Sequence, residues 1–168
     1  MKNITFREVK KLISCILFFL LSYHLSAQNQ NFSGNWKLNK EKTNFGDYSE
    51  NSAPVQLDVR QTKDSINISR TSVGKENDLS SYTEIMPFNE RLVTNVIRNA
   101  TRKTASIKWS SDNNSIIETG KYIDYSTKSI YSVTEKWDLI DDGKTLVVSR
   151  TDISDDGTFS AKFIYEKS

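Results

Sequence analysis

Apolar and polar residues alternate with a period of two from Phe32 to the C-terminus, most clearly at 55–59, 131–139 and 159–165. Successive side chains of a β-strand point to opposite faces of a sheet, so this alternation is typical of half-buried strands. The pattern predicts ten strands, at residues 32–38, 54–61, 65–72, 79–87, 91–98, 103–110, 115–124, 129–140, 145–153 and 158–167.

Short connections separate the predicted strands, so strands that are neighbours in sequence are expected to pair antiparallel. Residues 142–143 and 156–157 are both Asp-Gly, a strong hairpin signal because glycine readily adopts the positive φ that such turns need. Ten such strands predict an all-β fold, a single antiparallel up-and-down β-barrel, since closure removes unpaired sheet edges. An open β-sandwich is the alternative fold.

Residues 1–27 have the composition of a secretory signal peptide. Basic residues come first, an apolar run extends from Leu12 to Leu25, and small residues follow up to Ala27. The apolar run is too short and too interrupted for a membrane span, which needs about 20 apolar residues. We expect a mature, periplasmic or extracellular domain of residues 28–168 with no membrane span after cleavage.

Rare residues and charge narrow the possible functions. The only cysteine, Cys15, and the only histidine, His24, lie in the predicted signal peptide. The mature part therefore lacks the groups for disulfides, cysteine nucleophiles, serine–histidine triads and ordinary zinc sites, and we expect no metal and no cofactor.

The charge of the mature part is close to zero. The signal peptide holds four of the 23 basic and one of the 21 acidic residues, which leaves 19 basic and 20 acidic residues in the mature part. A net charge of −1 gives no indication of nucleic-acid binding.

The first predicted strand opens with Phe-Ser-Gly-Asn-Trp at 32–36. The Gly34-X-Trp36 sequence resembles the start of lipocalins and related calycin barrels, and its continuation to Gly46 resembles secreted bacterial lipocalin-like domains of unassigned role. The resemblance covers about 15 residues. It implies a lipocalin-like β-barrel in which the tryptophan plugs the closed end and the interior often holds a small apolar ligand.

The register of the predicted hairpins places charged residues on the apolar face of the sheet. A two-residue loop at 142–143 puts Glu135 directly opposite Arg150, and a loop at 127–128 puts Glu118 diagonally beside Glu135. The same face carries four large aromatic side chains. These are Trp109, Trp137, Tyr122 and Tyr131.

Two further charges are expected on this inner face. A two-residue loop at 156–157 puts Phe163 opposite Arg150 and leaves Asp152 facing inward, and Arg70 has the inward parity of an earlier hairpin. Charges removed from water destabilise the fold by several kcal/mol unless they are paired, so each of these residues needs a partner.

Two interpretations of the Glu135–Arg150 pair remain open at this point: a closed structural ion pair, or the polar end of a ligand cavity. In the second interpretation, the Arg150 guanidinium binds a ligand carboxylate bidentately, and Arg150→Met abolishes binding of an anionic amphiphile while the fold is spared.

We predict an exported, non-enzymatic protein that binds a small apolar or anionic amphiphilic ligand. The predicted ligand-binding residues are Arg150, Glu135, Glu118, Trp109, Trp137, Tyr122 and Tyr131.

Two other classes of function are alternatives. Glu118 and Glu135 permit a small secreted glycoside hydrolase, in which one acid protonates the leaving oxygen and the other carboxylate attacks or activates water. Such an enzyme needs both carboxylates on an open groove, and Arg150 favours the ionised form of Glu135, which suits a nucleophile and not an acid. The third class is an accessory protein-interaction domain with a filled core.

Overall fold

The computed structural model describes residues 29–74, 77–98 and 100–168, so the predicted signal peptide, 1–27, lies outside the described residues. Within them are ten strands and one short 3-10 turn, Asp141–Gly143. The strands are β1 (Gly34–Leu38), β2 (Gln56–Gln61), β3 (Ser65–Val73), β4 (Leu79–Pro87), β5 (Val93–Arg98), β6 (Thr101–Trp109), β7 (Ser115–Asp124), β8 (Ser129–Ile140), β9 (Thr145–Ser154) and β10 (Gly157–Lys167). No helix in this part of the chain is long and apolar enough to cross a membrane.

All ten strands form one antiparallel sheet in the order β4-β3-β2-β1-β10-β9-β8-β7-β6-β5. The first and last strands lie side by side in the middle of this order. The two strands at its ends, β4 and β5, approach each other without forming a ladder, so the sheet curls into a nearly closed up-and-down barrel. The predicted barrel is confirmed. Each predicted strand begins and ends within two residues of the bounds of an observed strand.

The hairpin between β8 and β9 has the predicted register. Glu135 faces Arg150, and Trp137 faces Val148. The turn places Asp142 and Gly143 at φ values of +54° and +77°, the left-handed region that favours Asp and Gly.

The predicted register between β9 and β10 is wrong by two residues. Residues 155–156 form the loop, because Gly157 takes a φ of +132° as the first residue of β10. Ala161, and not Phe163, therefore faces Arg150. A shift of two residues keeps every side chain on its predicted face.

The predicted two-residue loop between β7 and β8 is wrong in the same way. The observed loop has four residues, 125–128, and the Asp124 carboxylate shapes it by accepting a hydrogen bond from the Ser126 N–H at 2.8 Å. Glu118 consequently faces Glu135 directly and not diagonally. Two acidic side chains in direct opposition inside a barrel require a cation between them.

The inner face forms one apolar core, to which every strand except β5 contributes among the described residues. Trp36 is completely buried in this core, and its indole N–H donates to the Phe32 carbonyl oxygen at 3.0 Å. Many outer residues of the paired strands are exposed, as the alternation predicts, whereas Val147 on the outer face of β9 is buried. Examples of exposed outer residues are Lys121, Ser132, Thr134, Lys136 and Lys162.

The long segment between β1 and β2, residues 39–55, packs against the barrel. Asn44 forms an isolated bridge to β10, and the rings of Phe45 and Tyr48 lie 6.1 and 6.3 Å from the ring of Phe163. This segment, called here the β1–β2 segment, therefore adds aromatic side chains to one side of the interior.

Candidate ligand-binding site

Seven charged side chains converge inside the barrel, and they are called here the inner charge cluster. Strands β3, β4, β6, β7, β8 and β9 contribute them through their inward positions. The members are Arg70, Glu84, Lys103, Glu118, Glu135, Arg150 and Asp152. The first five of these are at most 3% exposed, so their charges are stable only because they are paired.

Arg70 contacts all three glutamates of the cluster. Its Nη2 lies 2.8 Å from Glu118 Oε2 and 2.9 Å from Glu135 Oε2, and its Nε lies 3.2 Å from Glu84 Oε2. The guanidinium carbon also lies 5.3 Å from the centre of the Trp137 ring. Arg70 therefore supplies the cation that the opposed pair of Glu118 and Glu135 requires.

Lys103 is completely buried and bridges two other members of the cluster. Its Nζ lies 2.8 Å from Glu84 Oε1 and also contacts Glu118 Oε1. Gly120 lies beside the lysine stem: a Cβ at Gly120 would make ordinary contact with Lys103 Cε at 3.6 Å and a tight contact with the Ala105 Cβ at 3.0 Å.

Arg150 is held mainly by Asp152. Its Nε and Nη2 lie 2.8 and 2.9 Å from the two carboxylate oxygens of Asp152, and its Nη1 lies 3.4 Å from Glu135 Oε1. The guanidinium carbon lies 5.8 and 5.9 Å from the rings of Tyr48 and Tyr122. The predicted Glu135–Arg150 contact is present, but the bidentate partner of Arg150 is Asp152.

Burial and ion pairing act in opposite directions on the pKa values of the cluster. Burial alone would raise the pKa of Glu135, but Arg70 and Arg150 outweigh it and lower that pKa to about 2. Burial dominates at Glu118, whose pKa is raised although Lys103 and Arg70 oppose the shift. Burial would lower the pKa of Lys103, but the attraction of Glu118 prevails and raises it. Lys103 therefore stays protonated, and of the opposed pair Glu118 binds a proton more readily than Glu135.

A cavity of about 340 Å³ lies next to the inner charge cluster. Arg70 and Arg150 are members of the cluster and also line this cavity. The rest of its wall consists mainly of hydroxyl-bearing side chains, including three phenols. The rings of Tyr122 and Tyr131 stack with centres 4.9 Å apart and planes within 5°. The hydroxyl-bearing residues of the wall are Ser52, Ser72, Tyr82, Thr101, Tyr122, Thr127, Ser129 and Tyr131.

The seven predicted site residues divide into three groups. Arg150, Tyr122 and Tyr131 line the cavity. Glu118 and Glu135 lie behind the arginines, outside the lining that the described residues form. The structure therefore brings five of the seven residues together around the two arginines.

The two predicted tryptophans lie away from the cavity. Trp137 is completely buried and donates its indole N–H to Glu135 Oε2 at 3.1 Å. Trp109 ends the strand whose first residue, Thr101, lines the cavity, and its ring lies 4.9 Å from that of Phe88. Trp137 thus supports the cluster, and Trp109 belongs to the packing at the other end of β6.

Glu118 and Glu135 do not have the geometry of a glycosidase pair. Both carboxylates contact the same Arg70 Nη2 atom and are at most 2% exposed, so neither faces an open groove. Among the described residues, no group of three or more His, Cys, Asp or Glu side chains is placed to hold a metal ion.

Sequence reasoning missed four side chains of this region: Glu84, Lys103, Tyr82 and Tyr48. The alternation already gives Lys103 the inward parity of Ala105, and Glu84 that of Met86. A buried lysine goes against the usual preference of that residue for water, so parity alone did not single it out. Tyr48 lies in the β1–β2 segment, which has no strand periodicity.

Solved structures with a similar fold include two different kinds of protein. One is a mutant form of the fluorescent protein UnaG, with 15% identity, a TM-score of 0.50, and coverage of 82% of this chain and 96% of that chain. Another is the zebrafish ileal bile acid-binding protein complexed with cholic acid, with 11% identity, a TM-score of 0.50, and coverage of 82% and 98%. At these identities the likeness shows the fold, a calycin-like β-barrel. No protein-family model and no curated protein matches the sequence.

Proposed function

We propose that the protein is an exported, non-enzymatic binding protein that holds a small apolar or amphiphilic ligand in its barrel cavity. The observation that carries this proposal is the cavity of about 340 Å³, whose wall joins two guanidinium groups to a pair of stacked tyrosines. Its volume falls within the usual range of small-molecule sites, about 300–1,000 Å³. The polar end of the ligand lies at Arg70 and Arg150, and its apolar body lies along Tyr122 and Tyr131.

The structural comparison supports the proposal only by analogy of fold. The zebrafish protein was solved with cholic acid, which is an amphiphile, bound to a barrel of this class. Barrels of this size enclose room for one small ligand or are filled by side chains, and here an open cavity adjoins the charged groups.

Binding of the uncharged fluorophore N-phenyl-1-naphthylamine tests the proposal. We expect its fluorescence to rise when the protein is added, because the dye leaves water for the cavity. Ser72→Phe, which fills the cavity from its wall, should abolish the rise. Thr71→Phe is the matched control, since Thr71 lies on the outer side of the same strand, where its hydroxyl contacts Ser81 at 2.8 Å. Equal loss in both variants, or no binding by the unmodified protein, would overturn the proposal.

Export rests on residues 1–27, and expression of the full chain in a bacterial host tests it. We expect mass spectrometry of the mature protein to show a chain that begins at Gln28. Leu17→Arg places a charge in the apolar run and should leave the precursor uncleaved. An intact precursor from both chains would contradict export.

A further inference from the structure

The two arginines of the cavity wall have few free N–H groups, because the inner charge cluster already uses most of them. A guanidinium has five N–H groups. Arg70 donates four hydrogen bonds to the three glutamates of the cluster. Arg150 donates two to Asp152 and one to Glu135. Within the described residues, one N–H of Arg70 and two of Arg150 are left for a ligand.

Carboxylates outnumber cations around the cavity. The inner charge cluster has three cations and four carboxylates. Asp124, in the cavity lining, adds a further carboxylate, and hydrogen bonds from Ser126 and Thr127 lower its pKa to about 2. Protonation of Glu118 would reduce this surplus without reversing it. An anion that entered the cavity would therefore meet no uncompensated positive charge.

We infer that the cavity receives an uncharged, hydrogen-bond-accepting group of an aromatic ligand and discriminates against the anionic form of the same ligand. This inference rests on the proposed function and narrows its ligand class. A carbonyl oxygen accepts the free N–H groups of Arg70 and Arg150 without adding charge. A cationic group such as an amidinium has only N–H donors and no acceptor, so it cannot take the same position beside the free N–H groups of Arg70 and Arg150.

The aromatic part of this ligand class follows from the tyrosines of the wall. Tyr122 and Tyr131 already stack face to face, and the Arg150 guanidinium lies 5.9 Å from the centre of the Tyr122 ring. A flat ring can extend this stack while its carbonyl group reaches Arg150. A flexible aliphatic chain would gain less from these flat surfaces.

Three isosteric probes that differ in the charge and hydrogen-bonding groups of one substituent test the inference: 2-naphthamide, 2-naphthoate and 2-naphthamidine. Isothermal titration calorimetry at pH 7 measures their affinities for the full mature chain. We expect 2-naphthamide to bind at least about tenfold more tightly than either charged probe. Equal or tighter binding of 2-naphthoate or 2-naphthamidine would overturn the inference.

A charge-changing variant separates the electrostatic cause from simple fit. Asp152→Asn removes one carboxylate from Arg150 with little change of shape, so it should raise the affinity of 2-naphthoate at least about tenfold relative to that of 2-naphthamide. Asp156→Asn, in the exposed loop 155–156, is the matched control and should change neither affinity. Circular dichroism checks that both variants are folded.

The outcomes distinguish this inference from the proposed function. If N-phenyl-1-naphthylamine binds in the cavity but 2-naphthamide does not, the ligand class is wrong and the proposed function stands. A folded Asp152→Asn variant with no gain for 2-naphthoate also overturns the inference. If the dye and all three probes fail to bind, the proposed function fails and the inference fails with it.

Discussion

The bidentate contact makes Arg150 and Asp152 depend on each other inside the barrel. Arg150→Met leaves the carboxylate of Asp152, a buried residue, without its main cation. We expect the variant to lose about 3 kcal/mol of unfolding free energy, because breaking a mostly buried ion pair leaves a charge unpaired. Urea denaturation of the two proteins measures the loss.

A double variant supplies the control for this prediction. Arg150→Met combined with Asp152→Leu removes both charges, and it should recover most of the lost stability, since apolar replacements of buried pairs are often neutral. A single variant as stable as the unmodified protein would contradict the prediction. That result would instead agree with the simpler expectation from sequence, that Arg150→Met spares the fold.

Glu135 makes stability depend on pH in the acid range. Burial alone would raise its pKa, but Arg70 and Arg150 lower it from 4.5 to about 2. A depressed carboxylate pKa contributes stability that is complete above the unfolded value and is lost as pH falls towards the folded value. We expect roughly 3 kcal/mol of unfolding free energy to disappear between about pH 5 and pH 2 through this group.

Glu135→Gln isolates this contribution. Both proteins carry Glu118→Gln in this comparison, because the charge of Glu135 raises the pKa of Glu118 and its removal would change the contribution of Glu118 to stability. Unfolding free energies measured at several pH values should fall less steeply in Glu135→Gln. Parallel curves for the two proteins would show that Glu135 has an ordinary pKa.

At the scale of elements, Gly46 fixes how the β1–β2 segment packs on the barrel. It has a φ of +56°, and a Cβ there would overlap the Ser160 carbonyl oxygen. We expect Gly46→Ala to displace the segment, which supplies Ser52 to the cavity wall and Tyr48 to the contact with Arg150. Binding of N-phenyl-1-naphthylamine should weaken about tenfold, as measured by fluorescence titration.

Gly143→Ala is the matched control for Gly46→Ala. Gly143 has a similarly positive φ of +77°, but a Cβ there would have no heavy atom within 4 Å. The control therefore shares the backbone strain and lacks the clash. Equal binding losses in both variants would mean that strain, and not displacement of the β1–β2 segment, is responsible.

The strands were predictable from sequence because alternation is a local property of the chain. The register of the β8–β9 hairpin was also predictable, although the observed connection has four residues, 141–144, and Asp141 takes a positive φ as well as Asp142 and Gly143. The same dipeptide at 156–157 behaves differently, since its glycine joins β10 and the loop moves to 155–156. A dipeptide signal thus indicates a hairpin but does not fix which residues pair.

At the scale of the whole molecule, the candidate site was predictable only in part. Parity places Arg70 and Glu135 on the inner face, but their strands, β3 and β8, are not neighbours in the sheet. Only the curling of the barrel brings the two side chains to 2.9 Å. Strand-by-strand register contains no information on this curvature, so the partner of Arg70 could not be read from the sequence.

The open seam between β4 and β5 should be visible in amide exchange. On an edge strand every second N–H points away from its only neighbour, whereas β8 is paired on both sides. We expect alternate amides of β4 and β5 to exchange much faster than those of β8 in hydrogen–deuterium exchange NMR. Uniform protection along both edge strands would show that the seam is closed in solution.

The adjacency of β1 and β10 has a consequence for chain connectivity. The Ser168 N–H donates to the Asn35 carbonyl oxygen at 2.9 Å, so the last residue lies beside the first strand. A circular permutant opened between Pro87 and Val93, with Ser168 linked to residue 29, would have its strands in their spatial order. It should form the same barrel and refold faster in stopped-flow measurements, because its contacts are more local. Slower refolding would contradict this expectation. In the natural chain, by contrast, the first and last strands lie in the middle of the ten-strand sheet.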